Sequence, residues 1–202
     1  TEIYTLSLHD ALPICLELQG VTRDITERRA SQERIAYLAE HDTLTGLPNR
    51  ALVTDRLSQA LASARREGHG VALLYIDLDR FKPVNDTHGH AVGDLLLREA
   101  AQRMRDCVRE SDTVGRFGGD EFVVLLPRGE VPDDALRVAE KIRSTLAAPF
   151  LVSGLSLGVV SRLGVVVDPD DGRGESSLLL AADRGIYEAK RSGRDQLSLS
   201  RR

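Results

Sequence analysis

Two pairs of acids in this 202-residue chain stand where strand-forming residues surround them. Asp77 and Asp79 end the run Val71-Ala72-Leu73-Leu74-Tyr75-Ile76-Asp77-Leu78-Asp79, which is otherwise apolar. On a strand, residues two apart point to the same face, so both carboxylates lie on one side. Asp120 and Glu121 stand between apolar runs in Arg116-Phe117-Gly118-Gly119-Asp120-Glu121-Phe122-Val123-Val124-Leu125-Leu126. Glycine takes positive φ without steric cost, so the Gly118-Gly119 pair predicts a tight hairpin turn. Carboxylates at the mouth of a hairpin, beside backbone that carries no side chain, suit a hard metal ion and a bulky anionic ligand. Alone, the hairpin reads more readily as a polar turn with solvated acids, since turns are rich in Gly and Asp. The two acid pairs are far apart in sequence and meet only if their strands are neighbours in one sheet.

The segment between them adds specificity. Residues 80–94, Arg80-Phe81-Lys82-Pro83-Val84-Asn85-Asp86-Thr87-His88-Gly89-His90-Ala91-Val92-Gly93-Asp94, are polar, punctuated by Gly89 and Gly93, and followed by a helical pattern. A D-x-D-x-F-K-x-x-N-D segment, then G-H-x-x-G-D, then G-G-[DE]-E-F thus stand in order. In this composite pattern the chain resembles the GGDEF family, the diguanylate cyclases, over about residues 42–196. The resemblance implies an α+β fold with a ferredoxin-like core, similar to nucleotide cyclases and polymerase palms: a mostly antiparallel central sheet flanked by helices. It implies condensation of two GTP into cyclic di-GMP and two pyrophosphates, by metal-assisted attack of a 3′-hydroxyl on an α-phosphate.

Carried over position by position, the family's metal ligands fall on Asp77, the Leu78 carbonyl and Asp120, for Mg²⁺ or Mn²⁺, two per GTP site. Asp120 takes the position proposed as general base as well as ligand, and Glu121 the one that helps hold a second metal, with a structural acid as the alternative. Lys82 matches a position that stabilises the transition state. Asn85, His90 and Asp94 match nucleotide-binding positions. An amide and a carboxylate complement the guanine edge, whose adjacent pair of ring N–H and amino donors adenine lacks. The alternatives for Asn85 and Asp94 are a loop turn and a helix cap; for His90, a packed or surface imidazole. Lys190 and Arg194, in Ala-Lys-x-x-Gly-Arg form, match phosphate contacts, though cations near a helix C-terminus also favour the dipole. Arg109 and Asp112, as R-x-x-D with five residues between Asp112 and Gly118, match the family's inhibitory product site. The alternative there is an ordinary ion pair at a helix end. Each site holds one GTP, so the resemblance implies a homodimer with the two sites facing each other.

Two departures show. Arg162, in Ser161-Arg162-Leu163-Gly164, stands where the family usually has a small Ser or Thr; facing the core, it would be costly. Gly185 replaces a usual Ala in the last helix, at a cost of roughly 1 kcal/mol if exposed.

Hydrophobic periodicity places these residues on elements. It predicts helices over 27–40 (Ile35, Leu38 and Ala39 as the stripe), 51–66 (Leu52, Leu57, Ala60, Leu61), 91–108 (Leu95, Leu96, Ala100, Met104, Cys107), 132–148 (Leu136, Ala139, Ile142, Leu146) and 177–192. Strands are predicted over 71–77, 113–117, 122–126 and within 155–167. His41-Asp42-Thr43-Leu44-Thr45-Gly46-Leu47-Pro48-Asn49-Arg50 reads as a structured entry loop, and the family's domains open with the same D-x-L-T-G-L-x-N-R.

Length allows one domain with a real core plus an appendage. Residues 1–14, TEIYTLSLHDALPI, read as a non-native adapter-derived segment, with a genuine strand and turn as the alternative. Residues 15–41 read as a stub resembling the end of a PAS domain plus a linker helix suited to a coiled-coil transmitter. Residues 42–199 read as the GGDEF domain. The net charge of −4 gives no global attraction for nucleic acid or an anionic membrane, so an anionic substrate needs local Lys and Arg. Cys15 and Cys107 give neither a disulfide framework nor a metal spacing, which fits a reducing, cytoplasmic setting. A missing N-terminal region could still anchor the parent protein in a membrane. The competing function is a non-catalytic GGDEF module that binds GTP or cyclic di-GMP and regulates a lost C-terminal phosphodiesterase domain. A pure interaction module would leave the acids unexplained.

Overall fold

The computed structural model describes residues 27–128, 132–168, 178–181 and 197–199. Residues 1–26, the adapter-like segment and the PAS-like stub, lie outside them, as do Gly185, Lys190 and Arg194. The chain divides into two compact units, 1–39 and 40–202. In the first, helix α1 (27–40) begins, and its apolar positions Ile35 and Leu38 are exposed. No helix among the described residues is long and apolar enough to cross a membrane.

The second unit is α+β. Its elements run α2 (Arg50–Glu67), β1 (Val71–Asp79), α3 (Phe81–His88), α4 (His90–Arg105), β2 (Thr113–Gly118), β3 (Glu121–Leu126), α5 (Asp133–Ala147), β4 (Phe150–Val152), β5 (Leu155–Leu157) and β6 (Val160–Asp168). A helical turn, α6 (178–181), and β7 (Leu197–Leu199) follow. The main sheet has the order β2-β3-β1-β6-β7, antiparallel except for the parallel β6–β7 pair. β4 and β5 form a separate hairpin.

Both faces of the sheet are covered, which explains why β1 reads as one apolar run rather than an alternation. Ala72, Leu74, Ile76 and Leu78 face a core shared with α3, α4 and α5. Val71, Leu73 and Tyr75 face a second core with α2 and Leu178 of α6. Asp77 and Asp79 continue this second face, by the strand's period of two.

The helices shift slightly from expectation. The polar segment after β1 is itself helical: Pro83 sits in the first turn of α3, where its missing N–H costs nothing. On α4 the inward residues are Leu96 and Leu97, and Leu95 is exposed. On α2 Val53, not Leu52, is buried; on α5 Ala135, not Leu136. Each is a one-position rotation of the stripe.

The entry loop clamps the β2–β3 hairpin. Arg116 Nη1 donates to both Asp42 carboxylate oxygens at 2.9 and 3.0 Å. Its Nε and Nη2 donate to the Gly119 carbonyl at 3.0 and 2.7 Å. Asp42 Oδ1 also accepts from the Thr45 amide and hydroxyl at 2.8 and 2.7 Å. Burial pushes the Asp42 carboxyl upward, but the Thr45 donors and then Arg116 outweigh it, and its pKa falls below the ordinary 3.8. A carboxyl with a lowered folded pKa binds fewer protons folded than unfolded. Its contribution is therefore complete above 3.8 and is lost as pH falls through the folded value. We expect Asp42→Asn to destabilise the domain by about 1–2 kcal/mol at neutral pH. Urea denaturation across a pH series should show that difference shrinking once pH drops below 3.8. A pH-independent difference would mean that the carboxylate charge is not what holds the clamp.

Candidate active site

The sheet register brings the two acid pairs together. β1 and β3 are neighbours, with Asp77 opposite Glu121, and the Leu78 amide donates to the Asp120 carbonyl at 3.2 Å. The hairpin turn runs through Gly118 and Gly119 at φ 144° and 51°, backbone that a side chain would strain. That turn leaves Asp120 half-buried at the tip, directly beside the end of β1. On the other side of β1, Asp77 pairs with Arg162 of β6. Glu121, Asp77 and Arg162 thus form a row across three strands.

Each member of the row is held. The Tyr75 hydroxyl donates to Glu121 Oε2 at 3.1 Å. Tyr75 stands edge-on to Phe117, with ring centroids 5.6 Å apart, and the Arg50 guanidinium lies 4.8 Å from the Phe117 centroid. Asp77 is 5% exposed. Arg162 Nη1 lies 3.6 Å from Asp77 Oδ1, and its Nη2 makes a 2.7 Å salt bridge to Asp79 Oδ2. Arg162 therefore faces the acids and not the apolar core. Asp79 is its principal partner. Among the described residues no three His, Cys, Asp or Glu side chains converge into a ready-made metal cage. The acids offer hard oxygen donors beside a buried carboxylate that a cation already faces, which is chemistry that Mg²⁺ or Mn²⁺ fits.

The candidate nucleotide residues fall on the two helices after β1. Lys82 is exposed on the first turn of α3, and Asn85 is half-buried on the same helix. His90 opens α4 and is exposed, and Asp94 is half-buried one turn later. Neither Asn85 nor Asp94 is a cap or a loop turn: the caps of α3 are Arg80 and Gly89, and Gly89 precedes α4. Asn85 Oδ1 is buried with no hydrogen-bond partner among the described residues. It packs so closely on α4 that a Cβ at Gly93 would lie 1.9 Å from it, which accounts for the glycine before Asp94.

Arg109 and Asp112 stand apart from these acids. Arg109 lies in the turn beyond α4, not in the helix, and Asp112 immediately precedes β2. The Asp112 carboxylate accepts from the Arg109 backbone N–H at 2.9 Å, so it braces the turn rather than pairing with the guanidinium. Arg109 lines a cavity of about 420 Å³ with Arg128, Arg137, Lys141, Asp112 and Asp134.

Sequence reasoning missed Tyr75, Phe117, Arg50 and Arg116. For Tyr75 a signal existed: it lies two before Asp77 and so shares its face. For Phe117 and Arg116 only the fold supplies the partners.

Known proteins resemble this chain over most of its length. The bifunctional diguanylate cyclase/cyclic di-GMP phosphodiesterase MucR of Pseudomonas aeruginosa is 46% identical over 167 residues, 83% of this chain and 24% of that protein. The diguanylate cyclase TpbB of the same organism is 41% identical over 185 residues, 91% of this chain and 42% of that protein. This chain therefore spans well under half the length of these curated relatives. Among solved structures, the coiled coil and GGDEF domain of DgcB from Caulobacter crescentus, in complex with c-di-GMP, superposes with a TM-score of 0.78. It is 27% identical, covering 93% of this chain and 99% of that one. Residues 39–196 match the family described as "Diguanylate cyclase, GGDEF domain", and the chain belongs to that family.

Proposed function

We propose that this domain condenses two GTP into cyclic di-GMP and two pyrophosphates. The observation that carries this is the register of β1 and β3, which sets Asp77 opposite Glu121 with Asp120 at the adjoining tip. The names of TpbB and MucR support the same activity. Asp77, the Leu78 carbonyl and Asp120, with help from Glu121, would hold Mg²⁺ or Mn²⁺, two per GTP. The metal would neutralise triphosphate charge and make a 3′-hydroxyl more acidic. Asp120 would take the 3′-hydroxyl proton. Lys82 supplies positive charge to the phosphates from the start of α3. Asn85 and Asp94 read the guanine edge, and the partnerless Asn85 Oδ1 is the atom that a base N–H would satisfy. His90 lies beside them as a further nucleotide contact. Lys190 and Arg194 are proposed as phosphate contacts on the family pattern alone.

One domain presents one such site, so two copies must face each other, and we propose a homodimer. The exposed Ile35 and Leu38 of α1 suit a coiled coil that brings the copies together, and the PAS-like wording of residues 16–29 suits a sensor upstream. We take 42–199 as the catalytic domain and 1–14 as foreign to it.

Product feedback is the second part of the proposal. The cavity at Arg109 gathers four cationic side chains against two acids, a balance suited to the two phosphates of cyclic di-GMP. The Arg109 guanidinium would bind a phosphate or a guanine edge, and Asp112 would accept from guanine N–H groups.

Purified protein given GTP and Mg²⁺, with products resolved by chromatography, tests the activity. Asp77→Ala and Asp120→Ala should each cut turnover by roughly 10²–10³-fold while circular dichroism stays native. Near wild-type turnover by folded Asp120→Ala would sink the assignment. In the same assay Arg109→Ala should weaken inhibition by cyclic di-GMP by roughly 10–100-fold and leave synthesis at low product intact. Inhibition that stayed unchanged in Arg109→Ala and yielded to excess GTP would point to competition at the active site instead.

A further inference from the structure

Arg162 is the one cation in the acidic row, and the proposed function gives it no part. Its position follows from register: on β6 it lies directly opposite Asp77, with Asp79 two residues further along the same face. The guanidinium makes unequal contacts with the two acids. The 2.7 Å approach to Asp79 is a charge-assisted hydrogen bond. The 3.6 Å approach to Asp77 is too long for one and is held by charge alone. Arg162 Nε is buried with no hydrogen-bond partner among the described residues, so the side chain is only partly satisfied where it lies. Its side chain is 17% exposed, which leaves it a route toward solvent at the site's edge.

We propose that Arg162 is a resident counter-cation of the metal site. In the absence of metal it neutralises Asp77; on metal binding it gives up Asp77 and swings on its Asp79 bond. The guanidinium and an incoming metal ion repel each other and are both drawn to the Asp77 carboxylate, so Arg162 competes with the metal and raises the metal concentration at which the domain becomes competent. The longer, charge-only contact is the one that must break, and the shorter one is the hinge. This inference rests on the metal-site reading above and adds a regulatory element to it.

Direct binding of Mn²⁺ to the full chain, followed by electron paramagnetic resonance, separates the two ideas without recourse to turnover. The set is wild type, Arg162→Ser, Arg162→Gln and Asp77→Asn. The Gln variant keeps most of the side-chain stem and a donor for Asp79, so it serves where the Ser variant folds poorly. Removing the competitor should tighten Mn²⁺ binding by about tenfold. Mn²⁺ should also raise the Tm of Arg162→Ser and Arg162→Gln by more than it raises the wild-type Tm, because removing the Arg162 charge leaves more of the local negative charge for the metal to neutralise. Asp77→Asn should abolish both effects. Equal affinity and equal Tm shifts in wild type and the Arg162 variants would overturn the counter-cation and leave the metal site standing. Weaker binding in the variants would also overturn it, making Arg162 a support of the site. Binding in no form, or binding indifferent to Asp77→Asn, would remove the metal-site reading and this proposal together.

Discussion

A carboxylate buried to 5% exposure costs free energy unless charge or donors meet it, and Asp77 is such a carboxylate. It cannot retreat to solvent, because β1 is the middle strand of the sheet. Backbone hydrogen bonds hold it to β3 on one side and β6 on the other, and side chains pack both faces. The α2 face of β1 runs Val71, Leu73, Tyr75 and then Asp77 and Asp79, so the apolar core turns acidic within one residue pair. Polar neighbours must therefore collect at that end. Glu121 and Arg162 arrive by register, and Tyr75 offers its hydroxyl to Glu121. A buried charge left without a partner is far more costly than the same charge paired. Arg162 supplies positive charge to Asp77, while Glu121 brings a second anion opposite it, held by the Tyr75 hydroxyl.

The hairpin meets a second constraint. A turn with Gly118 and Gly119 at positive φ has little stiffness of its own. Arg116 supplies it from outside, because one planar guanidinium bonds both the Asp42 carboxylate and the Gly119 carbonyl. The Arg116 amide bonds the Pro48 carbonyl, so the strand is fixed to the entry loop by backbone as well. The entry loop is pinned in turn by Arg98 to the Leu44 carbonyl and by Arg105 to the Gly46 carbonyl, both from α4. The helix that carries Asp94 and the hairpin that carries Asp120 are therefore tied through one loop. The position of the proposed base relative to the proposed guanine reader depends on that tie.

Much of this was legible in the chain because strands announce their faces. Alternation put Asp77 and Asp79 on one side, and the glycine pair predicted the β2–β3 hairpin; that β3 lies beside β1 with Glu121 opposite Asp77 came only from the sheet order. Helix α3 was not legible: it starts at Arg80 with φ 66° and no side-chain cap, and a polar, glycine-bounded segment looks like a loop. The stripe on α4 was ambiguous because Leu95, Leu96 and Leu97 are consecutive, and only packing chooses which two turn inward. Arg162 stands out in the sequence only as a departure from the family's small Ser or Thr, and a strand with a core on each face gives no local sign of which face ends in acids. Its partners, Asp79 and the more distant Asp77, lie on another strand, and only the sheet order could name them.

The same sheet order limits how the cavity at Arg109 can speak to the acids. Asp112 and Gly118 bracket β2, whose six residues span roughly 20 Å at the usual strand rise. β2 is the edge strand, but it is not loose: the Arg116 amide and side chain hold it, and Arg56 Nη1 donates to Thr113 Oγ1 at 2.9 Å. Gly115 packs so closely on α2 that a Cβ there would lie 2.2 Å from Val53 Cγ2. A strand held at its start, middle and end transmits displacement poorly as local distortion, since packed interiors resist small strain. A ligand at Arg109 is therefore better able to move the domain as a body than to deform the hairpin within it. For the proposed reaction between two such domains face to face, holding the body in the wrong place would suffice for inhibition.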